Sequence, residues 1–209
     1  MKIALVGATG MIGQRVLTEA SARGHDVTAI SRNPSSANNA ARTVAADATD
    51  SAALESAIRA HDAVISAIGP SGAAAADVIV EATRALAAAC TRADVRRVIV
   101  VNGAGSLAVQ PGVELLSTPD FRSDWRPVAL AHREALEIWR RVKELDWTVV
   151  SPSALIEPGE RRGKYRIGHN DLLVDENGKS HISAEDFAAG IVDELETKAH
   201  IGERITLGY

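Results

Sequence analysis

The sequence predicts an α/β fold in which a parallel sheet carries helices on both faces. Short apolar segments alternate with helical patterns along most of the 209 residues, and this alternation is typical of strands joined by right-handed helical crossovers. A glycine-rich turn follows the first apolar segment. The composition is 46% hydrophobic and 24% charged with a net charge of −4, as in globular chains that bury one large core. We expect a single domain over residues 1–209.

The individual elements follow from local patterns. Residues 2–6 form a continuous apolar run, which predicts a strand buried on both faces. In residues 11–23 apolar side chains recur every three or four positions, and Gly24 follows where a helix end favours a left-handed residue. Asp50 and Ser183 are typical N-cap residues before later helices. Further strands are predicted at residues 27–30, 44–46, 63–66, 97–101, 148–150 and 204–207, and further helices at residues 51–60, 77–91, 128–145 and after Ser183.

The pattern changes in the last quarter of the chain. Residues 175–178 read Asp-Glu-Asn-Gly, which predicts a hairpin turn between strands at residues 172–174 and 181–182. We expect this hairpin and the last helix to form a small C-terminal substrate region. Substrate contacts are therefore expected from residues 104–126, a long segment after the fifth strand, and from residues 152–185.

The turn after the first strand carries the clearest functional signal. Without side chains, Gly7 and Gly10 allow the backbone to approach a pyrophosphate, whose charge meets free N–H groups at the positive end of the first helix. Gly13 permits close packing of the helix on the strand. The predicted dinucleotide-binding segment is Gly7, Ala8, Thr9, Gly10, Met11, Ile12 and Gly13. The alternative is a glycine turn that only closes a tight corner.

The end of the second strand indicates which nucleotide binds. An acidic residue there would bind the ribose of NAD, but the chain has Ser31 and Arg32. A guanidinium can bind a 2′-phosphate by charge-assisted hydrogen bonds, so NADP(H) is favoured and NAD(H) stays an alternative. Arg32 could equally be a solvated surface residue. Later strand ends are expected to line the adenine and the nicotinamide-side ribose with Asp47, Ala48, Ser66, Ala67, Ile68 and Gly69.

Three later segments resemble a known family. The turn GATGMIG and the Ser-Arg strand end resemble the atypical branch of the short-chain dehydrogenase/reductase superfamily. Within it, residues 102–107 (NGAGSL), 168–175 (GHNDLLVD) and 180–188 (SHISAEDFA) resemble the NADH-flavin reductase family, which is related to biliverdin IXβ/flavin reductases and NmrA-like proteins. The resemblance covers nearly the whole chain. It implies a Rossmann fold, NAD(P)H, and often FMN, FAD or another planar acceptor, with further cofactor contacts from Asn102, Gly103, Ser151, Pro152 and Ser153.

The chain departs from its superfamily at the catalytic position. Typical members use a Tyr-x-x-x-Lys pair as proton donor, but Tyr165 is followed by a histidine at that spacing and Tyr209 is terminal. Alcohol or sugar redox chemistry and epimerisation are therefore disfavoured. His132, on the helix after the fifth strand, lies near the position of the missing pair, and Ser106 lies near that of a substrate-contacting serine in relatives. They are the candidate catalytic residues. His132 could instead be an ordinary residue at the edge of the core.

Hydride transfer to an exchangeable flavin suits a site without a strong acid, because positioning is then the main task. The expected function is thus NAD(P)H-dependent reduction of a flavin or similar planar acceptor. The alternative is an NmrA-like NADP(H)-binding sensor without turnover, and a weaker one is a quinone or biliverdin reductase. Phe121 and Trp125 in the long segment could stack on the acceptor or anchor the segment to the core.

Composition excludes several other classes. Cys90 is the single cysteine and cannot form an internal disulfide, which indicates a reducing, cytoplasmic compartment. No apolar run is long enough for a membrane span, and no basic block indicates nucleic acid. The histidines lack metal-ligand spacing, so no metal is expected. We expect a monomer or a homodimer.

Overall fold

Seven of the eight strands in the central sheet run parallel to one another, and the eighth is antiparallel at one edge. The computed structural model describes residues 1–33, 40, 42–69 and 75–209. Across the sheet the strands are β3 (Arg42–Ala45), β2 (Asp26–Ser31), β1 (Lys2–Val6), β4 (Ala63–Ser66), β5 (Arg97–Val101), β8 (Asp146–Pro152), β12 (Glu203–Gly208) and the antiparallel β10 (Arg166–Gly168).

Two small sheets and five helices complete the described part of the chain. The small sheets pair β6 (Ala108–Gln110) with β7 (Val113–Glu114), and β9 (Leu155–Glu157) with β11 (His181–Ser183). The helices are α1 (Met11–Ala22), α2 (Ser51–Ile58), α3 (Ala75–Ala93), α4 (Arg126–Arg141) and α5 (Ala184–Thr197), with short 3₁₀ turns at Leu115–Ser117 and Ser123–Trp125. None of the helices described is long and apolar enough to cross a membrane.

The alternation of side chains along β1 explains why helices cover both faces of the sheet. Ile3 and Leu5 pack with α1 and α5 on one face, whereas Ala4 and Val6 pack with α2, α3 and α4 on the other. All four are buried. Successive side chains of a strand point to opposite faces, so an uninterrupted apolar run requires cover on both. The predicted Rossmann-like, doubly wound parallel sheet is confirmed.

The predicted helix caps are present. The Asp50 carboxylate accepts hydrogen bonds from two backbone amides in the first turn of α2, at 2.9 and 3.0 Å. The Ser183 hydroxyl accepts from the Asp186 amide at 3.0 Å. Asp186 does not return the bond as a capping box would, because its carboxylate accepts from the Gly163 amide and the Tyr209 hydroxyl. This carboxylate therefore connects three separate segments of the C-terminal region.

The predicted hairpin around residues 175–178 is wrong in its pairing. The turn itself forms, since the Asp175 carboxylate accepts from the Asn177 and Lys179 amides. However, β11 pairs in parallel with β9, and residues 172–174 form no strand. The Leu172 amide instead donates to the Ala108 carbonyl at 2.8 Å, so this segment is held by the loop after β5.

Two further expectations need correction. Helix α4 ends at Arg141, four residues before the predicted end, because the chain becomes extended at Val142, whose carbonyl accepts from the Trp147 indole at 3.1 Å. Trp125 does not anchor the long loop in the core. It is 50% exposed, and the Arg122 guanidinium lies 4.5 Å from the centre of its ring.

A buried ion pair connects the central sheet to the last helix. The Arg97 guanidinium, at the start of β5, donates to the Glu194 carboxylate of α5 at 2.8 Å and to the Thr148 hydroxyl of β8 at the same distance. Both charged side chains are buried. His200 Nδ1 also lies 2.7 Å from the Glu194 carboxylate. Breaking a buried pair of this kind is costly because it leaves one charge without a partner.

Candidate functional site

The predicted cofactor residues meet at one edge of the sheet. They lie at the carboxyl ends of β1, β2, β3, β4, β5 and β8, all of which run parallel in the same sheet. Ligands of open α/β sheets bind at this edge, where the loops on either side of the central strand diverge. The sequence-based prediction therefore describes one continuous region, although its contacts with a nucleotide stay a prediction.

At the glycine turn of this edge, backbone segments pack directly against one another. Gly7 has a φ of +80°, and a Cβ there would lie 2.7 Å from the Ala67 carbonyl oxygen after β4. A Cβ on Gly13 would lie 2.1 Å from the Gly7 carbonyl oxygen. Side chains at either position would push α1 or β4 away from β1. Two of the three glycines are thus required by packing before any ligand is considered.

The same turn leaves donors free for an anion. Helix α1 begins after Gly10, which has no side chain to cap the amides of the first turn. The Gly10 amide itself donates to the Gly7 carbonyl at 3.1 Å. The first amides of a helix lack partners within the helix, and together with the helix dipole they favour an anionic group. Near these amides, Ala8 is buried and Ile12 is partly buried. The Thr9 and Met11 carbonyls accept hydrogen bonds from side chains of α1.

The ends of β2 and β3 combine a buried hydroxyl with an exposed cation. The Ser31 hydroxyl oxygen is buried and has no hydrogen-bond partner among the residues that the structure describes. Arg32 is exposed. Asp47 accepts from the Thr49 amide and hydroxyl, which lowers the pKa of its carboxyl, and the Arg32 charge lowers this pKa further. Asp47 and Arg32 thus interact electrostatically, while Ala48 beside them is partly buried.

The residues after β4 and at the end of β8 are mostly buried. Ser66 and Ala67 are buried, Ile68 is partly buried, and Gly69 is exposed at the boundary of the described residues. In β8 the Ser151 hydroxyl, like that of Ser31, is buried and has no hydrogen-bond partner among the described residues. The Ser153 hydroxyl differs, because it donates to the Leu207 carbonyl at 3.1 Å. Pro152 lies opposite Leu207 in the pairing of β8 with β12. Ser151 is therefore free to bind a ligand, and Ser153 is used to hold β12.

The segment after β5 brings helix α4 against the sheet edge. The Asn102 side chain accepts from the Gly103 amide at 2.9 Å, which fixes the turn. A Cβ on Gly103 would lie 3.0 Å from the His132 ring, and one on Gly105 would lie 2.7 Å from the Ala129 methyl. Both glycines therefore permit the close approach of α4, and His132 contacts the strand end where the resemblance places it.

His132 is an uncharged group in this environment. The ring is partly exposed, but its loss of solvation lowers the pKa of the imidazole to about 4. At neutral pH the ring is therefore neutral, with one N–H donor and one acceptor nitrogen. It can donate a hydrogen bond to an acceptor atom, whereas imidazolium chemistry is disfavoured.

Ser106 lies in a different environment from His132. Its hydroxyl and carbonyl oxygens accept from the Arg204 guanidinium of β12 at 2.9 and 3.2 Å. Arg204 is 7% exposed, and it also donates to Asn170 at 3.0 Å. Burial lowers the pKa of this guanidinium to about 10. Ser106 thus helps to hold Arg204, and the two residues line a groove that does not include His132.

Sequence reasoning missed two residues of this region, Arg204 and Trp139. Arg204 begins the predicted strand at residues 204–207, and a charged residue inside a sheet strand indicates that the charge has polar partners inside the fold. Trp139 follows His132 by seven residues on the same helix, so both side chains lie on one face. This spacing was the available signal. Arg161, whose side chain is 51% exposed, forms a bidentate ion pair with Glu19 of α1.

The close approach at Gly7 is testable with a matched control. Gly24 has nearly the same φ, +81°, but a Cβ there would meet nothing within 4 Å. We expect Gly7→Ala to lower the free energy of unfolding by roughly 2–5 kcal/mol, since backbone strain adds to the clash with Ala67. Gly24→Ala should cost only about 1–2 kcal/mol. Urea denaturation measures both, and equal losses would contradict the packing role of Gly7.

The low pKa of His132 makes stability depend on pH. The unfolded chain binds a proton at this ring below about pH 6.5, whereas the folded protein binds it only near pH 4. The free energy of unfolding should therefore fall as the pH is lowered through this window. We expect the wild type to lose up to roughly 3 kcal/mol more than His132→Gln. Urea denaturation at a series of pH values measures the difference, and parallel pH profiles would refute a neutral, poorly solvated ring.

Comparison with known proteins agrees with this geometry. The NAD(P)H-binding family matches residues 7–198. The chain is 37% identical over 210 residues to the uncharacterised protein YwnB of Bacillus subtilis (strain 168), with 99% of this chain and 98% of that protein covered. The family match begins at the first glycine of the turn after β1 and extends to the end of α5.

Two solved structures are similar over the whole chain. One is named a putative exported protein from Burkholderia pseudomallei, with 47% identity, a TM-score of 0.92 and 100% of both chains covered. The other is named a putative NADH-flavin reductase from Streptococcus pneumoniae TIGR4, with 34% identity, a TM-score of 0.91, and 100% of this chain and 99% of that chain covered. With a family match over nearly its full length, the chain belongs to the NAD(P)H-binding family.

Proposed function

We propose that this protein is an NAD(P)H-dependent reductase that transfers hydride to a flavin, FMN or FAD, or to a similar planar acceptor. The observation that carries the proposal is the contact of His132 of α4 with Gly103, near the position where the resemblance places the missing tyrosine and lysine pair, in an environment that keeps the imidazole neutral. Flavin reduction needs no strong acid, because the reduced ring can take its proton from water. The name of the Streptococcus relative supports the same acceptor.

The residues at the sheet edge fit a dinucleotide. The cradle at Gly7 has no room for a side chain, the first amides of α1 lack a side-chain cap, and the buried hydroxyls of Ser31 and Ser151 have no partners. A bound nucleotide would offer its pyrophosphate to the amides and its ribose hydroxyls to the serines. Buried polar groups are normally hydrogen-bonded, so the two serines favour a ligand at this edge.

Each group has a separate task in the proposed reaction. NAD(P)H supplies the hydride when it is bound. The turn at Gly7 and the start of α1 bind the phosphates, and Arg32 binds the 2′-phosphate. His132 donates its single N–H to a carbonyl oxygen of the acceptor and so orients the ring. Ser106, whose oxygens already accept from Arg204, orients the loop over the site.

Steady-state oxidation of NADPH and NADH tests the proposal directly. The purified protein is assayed at the nicotinamide absorbance with and without FMN, FAD and riboflavin. We expect turnover that depends on flavin and saturates with it, and a kinetic isotope effect with only one of the two C4-deuterated NADPH epimers. Nucleotide binding without turnover on any of these acceptors would refute the reductase. It would favour a nucleotide-sensing role like that of NmrA-like proteins.

Arg32 decides the preference for NADPH in this proposal. Removing a charge-assisted hydrogen bond to phosphate typically costs about 1.5–3 kcal/mol. We therefore expect Arg32→Ala to weaken NADPH binding by about 10- to 100-fold and to leave NADH binding nearly unchanged. The matched control is Arg42→Ala. It removes another exposed positive charge, which lies at the amino end of β3, the strand next to β2. Isothermal titration measures the affinities of the wild type and both variants for NADPH and NADH. Equal losses for both nucleotides in Arg32→Ala would contradict the assignment.

A further inference from the structure

A small cavity lies behind His132, between the ends of β4 and β5 and the helices α3 and α4. About 20 Å³ of it is open to the centre of a water molecule. A buried water needs roughly 10–15 Å³ measured in this way, so the space accommodates one water. The polar side chains in its wall are Ser66, Thr83, Asn102, His132 and Trp139.

Several of these groups lack a hydrogen-bond partner. Trp139 is 0% exposed, and its indole Nε1 donor is buried without an acceptor. In the described part of the chain, neither the Ser66 hydroxyl nor the His132 ring has a hydrogen bond. The Thr83 hydroxyl donates to the Ile79 carbonyl at 2.8 Å, which leaves its oxygen able to accept. The cavity wall thus contains hydrogen-bond donors, including Trp139 Nε1 and the Asn102 side-chain amide, and several acceptors around a space of water size.

The neighbouring Trp147 shows that this arrangement is specific to Trp139. The two rings lie 6.5 Å apart between centres, in the same layer of side chains under α4. The Trp147 indole donates to the Val142 carbonyl at 3.1 Å, so its N–H is satisfied within the protein. Buried indole N–H groups usually find such a partner. Among the residues that the structure describes, the N–H of Trp139 therefore has no acceptor, which favours a bound partner such as a water molecule.

We propose that this cavity binds one ordered water, which accepts a hydrogen bond from Trp139 Nε1 and donates one to the acceptor nitrogen of His132. A neutral imidazole has one donor and one acceptor nitrogen, so a water that donates to the ring keeps the nitrogen facing the cavity in its acceptor form. The other nitrogen then carries the N–H and is available outside the cavity. Trp139 is thereby a positioning residue. The use of this N–H at an acceptor rests on the proposed function, but the water and the tautomer do not.

The decisive experiment measures the tautomer of His132 in the protein without ligand. Protein labelled with ¹⁵N-histidine gives ring nitrogen shifts that distinguish the two neutral forms. We expect one dominant tautomer in the wild type and a shift of the tautomer ratio by roughly fivefold in Trp139→Phe, which keeps a large aromatic ring but removes the donor. Trp147→Phe, which removes an indole with a backbone partner, should leave the His132 signals unchanged.

Two further measurements keep the test independent of the folding of one variant. A crystal structure of the wild type should show a water within hydrogen-bond distance of Trp139 Nε1. Thr83→Val removes another acceptor from the cavity wall. The water should persist in this variant, because Trp139 Nε1 and His132 are intact. An empty cavity, or an unchanged tautomer in Trp139→Phe, would overturn the inference. A protein with this water but without flavin turnover would refute the proposed function alone.

Discussion

The close approach of three backbone segments at Gly7 is the constraint on which the rest of the site depends. The Gly7 carbonyl faces the Cα of Gly13 on α1, and the Cα of Gly7 faces the Ala67 carbonyl after β4. There is no room for a Cβ at either position. As a result α1 starts directly at the end of β1 and points its free amides over the edge of the sheet. The same packing that excludes side chains therefore presents the first amides of α1 at this edge.

A second pair of glycines has the corresponding effect on the other half of the site. Gly103 and Gly105 follow β5, and side chains there would collide with His132 and Ala129 of α4. The helix can thus lie close enough for an imidazole to contact the strand end. The low solvation that follows from this contact keeps the ring neutral. One half of the edge thus presents uncapped helix amides, and the other presents a neutral imidazole.

Much of this architecture was predictable because its signals are local. The glycine spacing at Gly7, the cap at Asp50 and the apolar run of β1 each determine their own segment of chain, and the structure agrees with them. Pairing partners were not predictable in the same way. The apolar residues of β11 fit an antiparallel hairpin equally well by pattern, and only the position of β9 selects the parallel pairing. Likewise, the orientation of Ser106 toward Arg204 depends on β12, almost one hundred residues later.

The buried pair between Arg97 and Glu194 has a consequence for folding cooperativity. Arg97 belongs to the middle of the sheet, while Glu194 arrives with α5, near the end of the chain. A partly folded sheet without α5 would lose this counter-charge and would expose to water the apolar face that α5 covers, so such a state is disfavoured. The middle of the sheet and the last helix therefore stabilise each other. Partially unfolded forms that lack α5 should be scarce, which protects the apolar face of the sheet from aggregation.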